Sequence, residues 1–260
     1  MEPIKDYKVY LDRMDASLID KCWWVDKIPD DIDTVVDFGC AAGHLKKALD
    51  VLCPNRFRYI GVETDFALYM ACIESSIEVY HNVADVMQNI NRDKTILVMN
   101  SVIHELLTYD LNAWSFLKAM NDLGFKYIAI RDMHVPPEHY HITIPVQLEL
   151  VKQILDSPYR NQWYDFCEVV EHRNKLYRTP TIAMIEFLLK YRYKENWDRE
   201  CSEQYLWNWS ELIFKGYSRQ EEQRFYIPFL KQKILEDFDT ILTIPTHIRL
   251  LLERIDNDAE

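Results

Sequence analysis

The chain has 260 residues, of which 48% are hydrophobic, 28% charged and 13% aromatic, and its formal net charge is −12. This is the composition of a packed globular protein with room for one α/β domain plus an elaboration, and it excludes a disordered or fibrous chain. The negative balance also excludes a uniformly basic nucleic-acid binder, although a local patch could still meet phosphate.

Leu11, Met14, Leu18, Cys22 and Val25 recur at helical spacing, which predicts an amphipathic helix from about Tyr7 to Val25, closed off by Pro29. An alternation follows: strand Thr34–Phe38, helix His44–Leu52, strand Arg58–Val62, helix Asp65–Ser75 and a short strand near Glu78–Val83. A second run adds strand Thr95–Met99, helix Leu111–Leu123 ended by Gly124, and strand Tyr127–Arg131. The strands are continuous apolar runs, as expected where helices cover both faces of a parallel sheet. The fold class expected is therefore α/β: a doubly wound, mainly parallel sheet, with ligands in the crevice beyond the carboxyl ends of its strands.

After Met133 the chain becomes rich in aromatic residues, with Thr181–Tyr193 and Thr246–Ile255 reading as helices and Arg224–Leu230 as a strand. The division expected is an N-terminal helical segment (1–30), a doubly wound, ligand-binding core (31–135) and a C-terminal region of remaining strands and a substrate-facing elaboration (136–260). Cys22, Cys40, Cys53, Cys72, Cys167 and Cys201 form no C-x-x-C pair and no metal-ligand spacing, which predicts a reducing compartment. A charged amino-terminal stretch and the lack of a bilayer-length apolar run point to a cytoplasmic protein.

The most informative stretch is Asp37-Phe-Gly-Cys-Ala-Ala-Gly43, where a strand delivers an acid and then a turn of small residues, Gly39, Cys40, Ala41 and Gly43, that lets a ligand approach the backbone. The dinucleotide pattern G-x-G-x-x-G fails here, because its second glycine falls on Ala41 and its third on His44, a residue too large for close helix packing. About twenty residues on, Glu63 ends the second strand, and its two oxygens suit the paired hydroxyls of a ribose.

The turn resembles the first motif of class I, Rossmann-like S-adenosylmethionine-dependent methyltransferases, D-x-G-x-G-x-G, with Ala41 in place of the middle glycine. The resemblance implies a methyltransferase with S-adenosylmethionine as cofactor. It implies that Asp37 engages the cofactor's amino group, directly or through water, and that Asp85 after the third strand meets the adenine amino group. Asn100 is expected to line the cofactor. The segments Ser101-Val-Ile-His-Glu105, Lys190-Tyr-Arg-Tyr-Lys-Glu-Asn-Trp197 and Pro245-Thr-His-Ile248 look similar to uncharacterised bacterial methyltransferase-like proteins, which extends the likeness over most of the chain without naming an acceptor.

Within the crevice, His104 is the expected general base with Glu105 as its orienter, and Asp132 and His134 come from the fifth strand to the same mouth. The competing reading of His104 and Glu105 is a helix-start pair with a purely structural task. Two further readings stand beside these. His134, His139 and His141 with His104 and Glu105 could ligate a metal, though none is expected. The basic run Arg173, Lys175, Arg178, Lys190, Arg192, Lys194 and Arg199, interleaved with tyrosines, could meet nucleic acid or be a solvated helix face. At the level of function, a partner-binding protein that keeps the fold without turnover, or an aminopropyl or aminocarboxypropyl transferase using the same cofactor, is the alternative to a methyltransferase.

Overall fold

The computed structural model describes residues 4–109, 113–134, 143–146, 148–167, 170–171, 177–203, 214–241 and 245–255. In chain order the elements are α1 (Tyr7–Asp15), α2 (Leu18–Lys21), β1 (Thr34–Phe38), α3 (His44–Leu52), β2 (Arg58–Val62), α4 (Phe66–Glu74), β3 (Val79–Tyr80), α5 (Val83–Val86), β4 (Thr95–Asn100), α6 (Ile103–Tyr109), α7 (Ala113–Asp122) and β5 (Tyr127–Met133). Then follow β6 (Thr143–Val146), α8 (Leu148–Asp156), α9 (Arg160–Phe166), β7 (Val170–Glu171), β8 (Tyr177–Pro180), α10 (Thr181–Lys190), α11 (Trp197–Ser202), β9 (Tyr217–Phe225), α12 (Pro228–Phe238) and β10 (His247–Arg254).

Seven strands form one sheet in the order β3-β2-β1-β4-β5-β10-β9. The first five are parallel, with Val36 opposite Ile60 and Leu97, and Leu97 opposite Ile128. At β10 the direction reverses: the Arg254 amide donates to Lys126 before β5, while the His134 amide after β5 donates to Thr246. This is the doubly wound, mainly parallel α/β fold that the alternation in the sequence predicts. Val35, Val36, Ile60, Ile96, Leu97 and Ile128 are all fully buried, as strands covered on both faces require.

Three expectations are corrected. The single helix over 7–25 is broken, because the Ser17 hydroxyl bonds back to the Met14 carbonyl, 3.0 Å away, and offers the backbone an alternative to another helical turn. Thr246–Ile255 is a strand: Ile248, Leu250, Leu251 and Leu252 are all buried, and a continuous apolar run suits a strand between two neighbours better than a one-sided helix. Arg224–Leu230 is divided between the end of β9 and the start of α12, where Pro228 takes a first-turn position that needs no N–H donor.

The chain forms two compact units, which cut it differently from the linear division 1–30, 31–135 and 136–260. One, the sheet unit, comprises Leu11–Asp132, Ile213–Gln223 and Ile248–Glu260. Its core joins Trp24, Val25 and Ile28 to Val35, Leu49, Tyr59, Val98 and Ala129. The other, the aromatic unit, comprises Met1–Tyr10, Met133–Leu212 and Arg224–His247. Here β6, β8 and β7 form a small antiparallel sheet, and Trp163, Phe187, Tyr191 and Phe238 pack a helical core, with Trp163 edge-on to Phe187 at 5.2 Å between centroids.

In the sheet unit, Asp20 on α2 ties the amino-terminal segment to the sheet. Its carboxylate accepts from Arg131 Nε of β5 at 2.5 Å and from Arg249 of β10. Arg131 is fully buried, so deleting the carboxylate would remove an anion bonded directly to a buried guanidinium. Asp20→Ala should destabilise the fold by about 3 kcal/mol, the lower end of what breaking one side of a buried ion pair costs. Urea unfolding checks this, and a change under 1 kcal/mol would contradict it.

Candidate functional site

Side chains alternate across a strand, so the register decides which residues share a face. Asp37 on β1 lies opposite Val98, Gly61 opposite Asp37, and Asn100 opposite Arg131. Asp37, Asn100 and Arg131 therefore stand on one face of the sheet, at its carboxyl edge, above the buried layer of Val35, Tyr59, Val98 and Ala129. Glu63, one step beyond β2, continues the same row.

The turn after β1 is built by the chain itself. Gly39 and Gly43 have φ of +72° and +70°, and a Cβ at either would press into Val102 (2.7 Å) or Ile77 (2.4 Å). Their need for glycine thus comes from backbone conformation and from packing on the chain. Ala41 is also left-handed, with φ of 49°, although it carries a side chain. Its amide donates to Glu63 Oε2 at 2.9 Å, while Glu63 Oε1 accepts from the Thr64 and Asp65 amides, both at 2.8 Å. Three of the about four lone-pair directions of that carboxylate are thereby filled. Burial raises the Glu63 pKa and these backbone bonds oppose the rise. The Cys40 side chain turns inward, 4.0 Å from Cys72 Sγ, so its backbone alone is offered to a guest.

Asp37 is buried and accepts a 2.6 Å bond from the Tyr59 hydroxyl. Burial pushes its pKa up to about 6, with the Tyr59 bond and the positive charge of Lys21 acting against the rise and Glu63 adding to it. Lys21, the last residue of α2, is itself buried and held down to about 8, by burial first and by Arg131 next, against the pull of Asp37, Asp15 and Asp20. At the end of β4, Asn100 is 9% exposed and neither its Oδ1 nor its Nδ2 has a hydrogen-bond partner among the described residues. The next residue, Ser101, is left-handed at φ 55°, pinned by its amide to the Arg131 carbonyl at 2.7 Å. Two unmet polar groups beside a strained residue at a strand end mark a candidate site.

Asp85 lies in the one-turn helix α5 beyond β3 and is exposed. His44 occupies the first position of α3 and pairs with Asp15 of α1. His104, in the first turn of α6, meets Asp132, and one of its ring nitrogens lies within 4.8 Å of the Glu105 carboxylate. Its Nδ1 is 2.7 Å from Asp132 Oδ1, and Asp132 Oδ2 accepts the Ile103 amide at 2.7 Å, which caps the helix. Alternation along β5 puts Asp132 on the face opposite Arg131, so this pair is not part of the Asp37–Asn100 row. The loop carrying it nonetheless touches the turn, through Val102 against Gly39.

His139 and His141 of the metal reading lie outside the described residues, as do Arg173 and Lys175 of the basic run. The described basic side chains of that run are engaged within the aromatic unit. Lys190 is fully buried against Glu186, with the Glu200 and Glu203 carbonyls at 2.8 and 2.5 Å. Arg192 holds Asp237 through two bonds of 2.6 and 2.7 Å, Lys194 donates to the Pro158 carbonyl, and Arg199 pairs with Glu203 at 2.8 Å. No described helix is long and apolar enough to cross a membrane.

The residues missed from the sequence are Lys21, Asp20 and Tyr59. An ionic Asp-Lys pair next to the apolar Cys22-Trp-Trp-Val25 is the one signal that could have drawn attention to the first two.

No family model matches the sequence, and no curated relative does. Among solved structures the chain is similar to an S-adenosylmethionine-dependent methyltransferase from Mesorhizobium loti, at 10% identity over 92% of this chain and 98% of that one, with a TM-score of 0.46. It is similar to a SAM-dependent methyltransferase from Archaeoglobus fulgidus, at 14% identity over 96% and 100%, with a TM-score of 0.43. A third is the plantazolicin methyltransferase BamL, solved with SAH and a substrate analogue, at 9% identity over 94% and 84%, with a TM-score of 0.42.

The Asp37 pKa lies above that of a free carboxyl, so the folded state holds this proton longer than the unfolded chain. The stabilisation this brings is present at low pH and is lost as pH rises from about 3.8 to about 6. Tyr59→Phe removes a bond to the ionised form and should extend that loss above pH 6. Unfolding free energies at pH 5, 6, 7 and 8 for both proteins check it, and parallel profiles would disprove the link.

Proposed function

We propose that the chain is an S-adenosylmethionine-dependent methyltransferase, its cofactor seated at the carboxyl edge of β1, β2 and β4. The observation that carries this reading is the Asn100 amide, buried without a partner in the same row as Asp37 and beside the acid-and-glycine turn. A buried amide left unmet costs about 1–3 kcal/mol, which a polar guest would remove. The residues fit the cofactor: a carboxylate for its ammonium in Asp37, a carboxylate for a ribose hydroxyl in Glu63, and an exposed acid for adenine in Asp85. With three backbone bonds already on Glu63, one hydroxyl can be accepted directly and a second requires the Ala41 amide to let go.

When bound, the cofactor supplies an electrophilic methyl group, so the protein's contribution is alignment of the acceptor and exclusion of water. For an acceptor that must lose a proton, the proposed base is His104. Asp132 accepts from its Nδ1–H, which leaves the basic lone pair of the neutral ring on Nε2. In this reading Asp132 orients the ring, and the Glu105 carboxylate lies within 4.8 Å of a ring nitrogen. The acceptor class stays open among small molecules, RNA and protein.

Asp37→Ala and Glu63→Gln should each weaken S-adenosylhomocysteine binding about tenfold or more, as expected when a charge-assisted hydrogen bond is lost. Calorimetry showing unchanged affinity in both would sink the site. With radiolabelled methyl donor and fractionated cell extract, wild type should label one fraction, and His104→Ala should label it about 100-fold more slowly with cofactor affinity intact. Tight binding without labelling would identify a non-catalytic cofactor binder, and release of methylthioadenosine an aminopropyl or aminocarboxypropyl transferase.

A further inference from the structure

Two thiols meet beside the turn after β1. Cys40 of the turn and Cys72 of α4, 32 residues apart in sequence, bring their Sγ atoms to 4.0 Å, and both are buried. Gly61 of β2 makes room for them. A Cβ there would stand 2.5 Å from Cys40 Sγ, and the φ of Gly61 is not positive, so glycine serves this strand position by leaving space rather than by its conformation. The two sulfurs also share a backbone oxygen: the Cys72 thiol donates to the Ala41 carbonyl at 3.2 Å, and Cys40 Sγ lies 3.6 Å from the same atom. Ala41 is the left-handed residue whose amide donates to Glu63. Its amide is thus held by a carboxylate and its carbonyl by a thiol.

We propose that Cys40 and Cys72 are a redox-active dithiol that controls the cofactor turn, which binds as the two thiols and loses affinity when hydrogen peroxide joins them in a disulfide. The proposal rests on the cofactor reading above for what the turn binds, and it adds a regulation to that site. Both thiols are buried, so the oxidant has to be close to water in size to reach them. The bond from Cys40 lowers the Cys72 pKa against the effect of burial, which makes Cys72 the first nucleophile. Its thiolate attacks one oxygen of the peroxide and the O–O bond breaks, giving a sulfenic acid and a hydroxide that takes up the proton lost by Cys72. Cys40 sulfur then attacks the sulfenic sulfur, the S–S bond forms, and the hydroxyl leaves with the Cys40 proton as a second water. Two thiols are oxidised by two electrons, and one peroxide is reduced to two waters. Joining the sulfurs closes their separation from 4.0 Å to about 2 Å. Cys40 Sγ is packed on Gly61 and Cys72 belongs to a helix, so the turn backbone has to move. In the same step the Ala41 carbonyl loses the Cys72 donor, which removes one of the two supports of a left-handed alanine.

The test treats the full chain with hydrogen peroxide, blocks remaining thiols with N-ethylmaleimide and maps the digested protein by mass spectrometry. Calorimetry gives S-adenosylhomocysteine affinity before treatment, after it, and after reduction with dithiothreitol. Peptides joined through Cys40 and Cys72, affinity weakened about tenfold or more, and recovery on reduction are the expected results. Cys72→Ser should show the same affinity before and after peroxide. A map without the link between Cys40 and Cys72 overturns the proposal, as does a linked protein of unchanged affinity or a peroxide response that survives in Cys72→Ser. Should Cys72→Ser not fold, the link, the weakened affinity and the recovery in wild type decide the matter. If untreated wild type does not bind S-adenosylhomocysteine, the cofactor reading falls and the control with it, whereas failure of the control alone leaves an untreated protein that binds.

Discussion

The site hangs on one carboxylate. Glu63 at the end of β2 reaches across to the Ala41 amide and holds the turn after β1 in a left-handed conformation that an alanine would not choose for itself. The same group ties down the two residues that follow it, so β1, β2 and the start of α4 meet at a single anion. With the turn fixed, Val102 packs on Gly39, and the loop from β4 to α6 takes its place against it. What looks like a ligand-binding acid is also the fastening of the turn that the ligand would meet.

Around this point the sheet edge is more heavily charged than a buried region normally tolerates. Asp37, Lys21, Arg131 and Asp20 are each inside or nearly so, and desolvation moves Asp37 and Lys21 toward neutrality from opposite directions, to about 6 and about 8. Between those values both remain largely charged, so a polar guest meets a prepared field with little reorganisation. Such an arrangement is poor as a source of stability. It is intelligible as a binding device.

Much of this could be read from the residues alone. Asp37, Glu63 and Asn100 are strand-end positions, and strand ends follow from apolar runs whose limits are marked by turn residues. Lys21 and Tyr59 could not be read that way. Tyr59 reads as one more apolar strand position, and its hydroxyl's partner depends on the pairing of β1 with β2. Lys21 depends on the path of the amino-terminal segment over the sheet. Glu105 is adjacent to His104 in sequence and has a carboxylate oxygen within 4.8 Å of its ring, so that neighbour is legible from the sequence. Asp132 reaches His104 because β5 lies beside β4. The leucines of β10 favour a helix by propensity and form a strand because both faces of their slot are covered.

The position of β10 has a consequence for how the protein comes to exist. β5 is flanked by β4 on one side and β10 on the other, yet β10 begins at His247, long after β5 ends at Met133. As the chain leaves the ribosome, the first five strands can assemble while the outer edge of β5 is still bare, with its hydrogen-bonding groups open to any other strand. The aromatic unit's residues 133–212 are synthesised during that interval. Vectorial synthesis therefore leaves a half-finished sheet exposed for the time it takes to make more than a third of the molecule, which makes that edge the place where this fold is most vulnerable to aggregation before it is complete.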